Sequence, residues 1–159
     1  MMLKLISILV IAMFFIASPS LLKADEDRLG SSSSRTNKLE DAPEQITKLC
    51  SAFFTDLIKG NVEGAFDKFL EGSPLKDKSE EINTLKNQAK RSFKLYGKLQ
   101  GYELASIENA TNSYTRVRFL GLNEEYPMRW IFTFYKSPKK GWIVTNIKLD
   151  DLSEYYFSD

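Results

Sequence analysis

Any chemistry in this chain has to be done without histidine, of which it has none, and with a single cysteine, Cys50. Without an imidazole there is no Ser-His-Asp or Cys-His nucleophile and no ordinary zinc site. No glycine-rich phosphate loop, Cys-x-x-Cys pair or nucleophile elbow occurs either. What remains includes carboxylates, tyrosine hydroxyls and a group of three of the six arginines, Arg116, Arg118 and Arg129. Arg116 and Arg118 alternate with Val117 and Phe119, so they share one face of a strand, and Arg129 of the next strand joins them. That grouping reads either as a patch for an anionic ligand or partner, or as a solvated sheet face. Asn109-Ala110-Thr111 is a glycosylation sequon in a glycosylating secretory route and otherwise an ordinary turn. No metal and no cofactor is expected.

These residues have to be positioned by one domain. The chain has 159 residues, 43% of them hydrophobic and 27% charged, with a net charge of +1. That is too short for two ordinary domains and too nearly neutral for a nucleic-acid binder. Its first 24 residues read as an export signal: Lys4, an apolar run Leu5 to Ile16, then a small and polar stretch ending at Ala24. The apolar run is about a dozen residues, short of the roughly 20 needed for a permanent span. The expectation is a periplasmic or secreted protein, with membrane attachment only if the signal stays uncleaved. Cleavage after Ala24 removes Lys4 and Lys23 and leaves 20 basic against 21 acidic residues, a net charge of −1. Residues 25–43 contain Asp-Glu-Asp, four consecutive serines and few apolar side chains, the composition of a flexible polar linker. The mature chain holds only Cys50, so no intramolecular disulfide can form, and its place on an apolar helix stripe makes it a small core residue.

The domain is therefore residues 44–159. Ile46, Leu49, Cys50, Phe53, Phe54, Leu57 and Ile58 keep the helical rhythm until Gly60, with Asp41 and Glu44 at capping-box spacing around Pro43. Val62, Ala65, Phe66, Phe69 and Leu70 continue it up to Gly72 and Pro74. Asp77 with Glu80 predicts the start of a third helix, whose stripe is Ile82, Leu85, Ala89, Phe93 and Tyr96, with Lys86 largely outside it. After Gly97 the period becomes two, predicting strands near 100–107, 114–122, 126–136 and 142–149 joined by hairpin-length turns. The expected fold is α+β, three N-terminal helices packed on one face of a curved antiparallel four-stranded sheet.

In this arrangement the chain resembles the nuclear transport factor two-like superfamily, with its cystatin-like cone. The likeness is carried by the helical pair from Cys50 through Leu70, with its Lys-Gly-Asn turn, and by Arg129-Trp-Ile-Phe-Thr-Phe-Tyr-Lys and Gly141-Trp-Ile-Val-Thr-Asn-Ile. The superfamily includes isomerase-like enzymes, dehydratases and polyketide cyclases beside non-enzymatic binding domains. The resemblance implies that an enzyme would need a carboxylate base and tyrosine donors inside the cone. Asp67, beside Phe66 and Phe69, is the candidate catalytic residue, against its plainer reading as a solvated helix carboxylate. The His-Asp chemistry of the dehydratases is unavailable.

The space between helices and sheet is the expected ligand site, lined by Phe54, Phe66, Phe93, Tyr96, Tyr102, Phe119, Trp130 and Phe132. The same residues at the same spacing also describe a filled core. Outside, Ile131, Thr133 and Tyr135 give the third predicted strand a second semi-apolar face that needs cover. A homodimer through the outer sheet face is expected to supply it, with the aromatic C-terminal tail as the alternative. The expected function is an exported non-enzymatic domain that binds a small apolar ligand or a protein partner; the alternative is a cone-cavity isomerase or cyclase.

Overall fold

The computed structural model describes residues 34–36 and 42–157. The predicted signal and most of the predicted linker, Asp41 included, lie outside the described residues. Three helices, α1 (Glu44–Ile58), α2 (Val62–Phe69) and α3 (Ser79–Tyr96), precede four long strands, β2 (Leu99–Thr111), β3 (Tyr114–Asn123), β4 (Met128–Ser137) and β5 (Gly141–Asp150). This is the expected α+β architecture, a curved antiparallel meander with helices on one face. A three-residue strand, β1 (Ser34–Thr36), extends it by pairing with Ile107 to Asn109 of β2, so part of the segment read as linker joins the sheet edge.

Several boundaries differ from the sequence expectation for local physical reasons. Helix α1 follows Pro43 without a side-chain cap, and Glu44 instead pairs with Lys48 one turn on. Asp77 does not cap α3; it closes a 3-10 turn, Pro74–Asp77, that Ser73 starts by accepting the Leu75 N–H. The first hairpin is tighter than expected, because β2 runs on to Thr111 before it turns. Strand β4 begins at Met128, just past Pro127, which has no N–H to give a ladder. Helix α3 stops at Gly97, whose φ of 81° lies where side chains are strained and whose missing Cβ leaves room for Glu124.

The inner sheet face carries Val117, Phe119, Trp130, Phe132, Phe134, Val144, Ile147 and Leu149, all buried. Against it lie Ile46, Cys50, Phe53, Phe54 and Leu57 of α1 and Ala65, Phe66 and Phe69 of α2. Burial pushes the Cys50 thiol well above its ordinary range, so it stays protonated and unreactive.

The free edge of β5 is closed by side chains from the helical half. The Gln45 carboxamide both accepts the Trp142 N–H (3.1 Å) and donates to the Trp142 carbonyl (3.1 Å), as a neighbouring strand would. Ser73 Oγ donates to the Val144 carbonyl and Gln88 Nε2 to that of Leu149. Side chains that occupy the edge at these points make it a poorer template for another chain.

Gly121 lies close against the core side chains beneath it. A Cβ there would sit 2.9 Å from Trp130 Nε1 and 3.1 Å from Leu99 Cδ1. Gly121→Ala should therefore destabilise the domain by about 1–3 kcal/mol, the usual cost of overpacking a filled core. Urea unfolding followed by tryptophan fluorescence measures it; an unchanged midpoint would show that the indole has room to move.

Candidate functional site

The residues expected to line a pocket come together, and they fill the space they were expected to enclose. Phe54, Phe66, Phe119, Trp130 and Phe132 are each 0% exposed. Phe54 stacks on Tyr102 at 4.3 Å with the rings 14° apart and meets Phe119 edge-on at 5.0 Å. Phe53, on the same stripe but absent from the expected lining, sits at the centre: its ring lies 5.2 Å from Phe66, 4.5 Å from Phe69, 5.5 Å from Trp130 and 5.4 Å from Phe132. Phe93 and Tyr96 are half-buried at the border of this cluster. The Trp130 indole N–H is buried without an acceptor, facing the backbone of Gly121.

The candidate base faces away from that interior. The side chain of Asp67 is 68% exposed and accepts from Lys86 Nζ at 2.8 Å. Lys86, expected outside the α3 stripe, is the buried member of a network between α2 and α3. It lies 2.8 Å from Glu63, which also takes Lys90 at 2.6 Å. Burial alone would lower the Lys86 pKa, but the hydrogen bonds it donates to Asp67 and Glu63 outweigh that and raise it. The same lysines hold Glu63 down to about 2 through their hydrogen bonds. Asp56 is likewise committed, to Lys68 at 2.8 Å.

A second carboxylate pairing was not legible in the sequence. Tyr96, instead of pointing its hydroxyl inward, donates to Asp151 at 2.6 Å across 55 residues. The pair borders a surface hollow of about 260 Å³ with Gln88, Arg91, Leu95 and Met128. The bond to Asp151 raises the Tyr96 phenol, which makes it a held donor and not an acid. Of the eight residues expected to line a site, only Tyr96 borders this hollow.

The outer sheet face holds the arginines. Arg118 is neutralised by Glu108 at 2.7 Å, and Arg129 by a two-point contact with Asp150 at 2.9 and 2.8 Å. Arg116 stays 3.8 Å from Glu108 and half exposed. The C-terminal 3-10 turn, Ser153–Tyr156, lies over the Arg129 end of this face. The Tyr155 ring sits 5.2 Å from the Arg129 guanidinium, and Tyr156 donates to the Phe119 carbonyl at 2.6 Å. Between the tail and the Tyr114–Tyr135 pair at the other end is a notch of about 100 Å³, lined by Arg116, Ile131, Thr133, Asn146 and Lys148. The notch exists because the short Thr133 is flanked on both neighbouring strands by longer side chains. Parity located Arg116, Ile131 and Thr133; Asn146 and Lys148 follow only from the register of β4 against β5.

Among the described residues no cluster of metal-ligating side chains occurs, and no helix is long and apolar enough to cross a membrane.

The Glu63 network sets an acid limit on stability. Its carboxyl has a folded pKa of about 2 against an ordinary 4.5, so the folded state binds the proton less readily than the unfolded chain. The stabilisation is then present above about pH 4.5 and is lost as pH falls through about 2. Melting temperature measured by circular dichroism across this range should drop more steeply in the native protein than in Glu63→Gln. Parallel curves would remove Glu63 from the acid transition.

Searches against protein-family models, curated proteins and solved structures find no match to this chain.

Proposed function

We propose that this chain is an exported, non-enzymatic domain of the nuclear transport factor two-like kind that binds a protein partner through the outer face of its sheet. The observation that carries this reading is the division of the aromatic side chains. The residues expected to surround a small apolar ligand are packed against one another, so a ligand there would have to displace core rings. Outside, Tyr114 is 44% exposed, Tyr135 40% and Tyr155 56%, on a face that also presents arginine. Tyrosine and arginine are the types that most often carry binding energy in protein interfaces, because each offers a large surface together with directional hydrogen bonds.

Catalysis is disfavoured by where the carboxylates are. Asp67 and Asp151 face solvent and are held by Lys86 and Tyr96, whereas a general base works from a water-excluded position beside its substrate. Export rests on the pattern of residues 1–24.

An acidic partner suits the face better than a second copy. Two copies meeting through the same patch would bring Arg116 and Lys148 of one against those of the other, like charge against like. The homodimer expected from the sequence is therefore the competing occupant. A photo-crosslinking amino acid at position 135, compared with one at the exposed helix position 94, tests this in the cells that make the protein. The expected result is a discrete adduct with another protein from 135 and none from 94. An adduct only with the chain itself would establish the homodimer instead; no adduct at 135 would overturn the assignment of this face. A saturable rise in melting temperature with fatty acids or steroids would return the function to the interior.

A further inference from the structure

The notch at the centre of the outer face has a chemistry of its own. Arg116, Thr133 and Asn146 lie in one row across β3, β4 and β5, and Lys148 stands one same-face position further along β5 beside Ile131, roughly 12 Å from Arg116 by ordinary strand spacing and rise, with Ile131 forming the apolar side. We infer that this notch is a binding site for a single carboxylate, which receives one Asp or Glu side chain of the protein that docks on this face; the inference rests on the outer-face reading above. The guanidinium supplies planar paired donors, the ammonium a second charge from the opposite wall, and the Thr133 hydroxyl and Asn146 carboxamide supply neutral donors at the base.

Charge bookkeeping on the rest of the face favours this site over its neighbours. Arg118 and Arg129 are each already closed by a carboxylate at 2.9 Å or less, Arg129 in the two-point form that leaves least to offer. Lys148 has no carboxylate partner among the described residues, and Arg116 has only the 3.8 Å approach of Glu108. Glu108 also explains the preference for a monoanion. Its charge beside Arg116 lowers the local positive potential, which suits one carboxylate and opposes a phosphate dianion. The volume of about 100 Å³ admits the head of an acidic side chain but not a larger organic anion. Tyr114 and Tyr135 at one end and Tyr155 at the other give the flanking residues of the same partner an apolar surface.

The test uses the full chain as the cell processes it, with N-acetyl-aspartyl methylamide and, separately, inorganic phosphate as probes, and follows the Arg116 Nε–H, Lys148 side-chain and Thr133 amide signals by NMR. Saturable shifts with the aspartyl probe are expected at these three positions. Arg116→Gln or Lys148→Gln should weaken that binding about tenfold, the usual loss of a charge-assisted hydrogen bond. Both positions are exposed, and unchanged melting temperatures confirm that the variants fold. Shifts with phosphate and none with the aspartyl probe would overturn the carboxylate assignment, and no shift with either would overturn the site. The crosslink at position 135 separates the two levels. If it persists in the Arg116→Gln/Lys148→Gln double variant and the probe does not bind the native chain, the docking face stands and the notch falls. Probe binding without any crosslink leaves a carboxylate site on a face that no protein covers, which overturns the partner assignment.

Discussion

Phe53 is the point at which the helical and the strand halves of this domain are held together. Its ring meets five other aromatic rings, from α1, α2 and β4, at 4.5 to 5.6 Å. Fully burying one such side chain contributes about 1.5–3 kcal/mol, and edge-to-face pairs add about 0.5–1.5 kcal/mol each. No disulfide shares this task, because Cys50 is buried as a free thiol. The aromatic plug holds the helices on the sheet, and its rings occupy volume that a ligand inside the cone would need.

A binding role for such a domain would then fall to its outer surfaces, whose condition differs from place to place. The edge at β5 is sealed by Gln45, Ser73 and Gln88, whose side chains act as a partial extra strand. The α2–α3 surface is occupied by the Lys86 network, which ties the two helices across a buried ammonium. The C-terminal turn takes the Arg129 end of the outer face. On the outer sheet face these contacts leave a bounded strip, from Tyr114 and Tyr135 to the tail, which would give the proposed partner a defined register.

Much of this could be read before the structure, and the parts that could not share a cause. Hydrophobic periodicity located all three helices and all four long strands, and strand parity correctly separated Val117 and Phe119 from Arg116 and Arg118. Periodicity ranks residues by hydropathy alone, so it placed Lys86 outside the stripe when two carboxylates from α2 make its burial tolerable. It also could not tell a lined cavity from a filled core, since both want the same residues in the same places. The pairing of Tyr96 with Asp151 spans 55 residues and depends on how the last strand lies against α3, information held in tertiary packing and not in spacing. Asp77 looked like a cap because its distance to Glu80 is right; Ser73 and Pro74 start a 3-10 turn first, and the turn carries Asp77 past the capping position.

The absence of histidine takes on a further meaning once the outer face is known. Histidine is the side chain whose unperturbed pKa falls between about 5 and 8, and a chain without it has no such group with which to change its charge there. Cys50, the other group that can titrate near neutrality, is held protonated by burial. With neither group available, attraction of the strip between Tyr135 and Tyr155 to an acidic partner would respond to salt more than to pH. Under the proposed function, a domain built this way would bind by a constant surface and not by a pH switch.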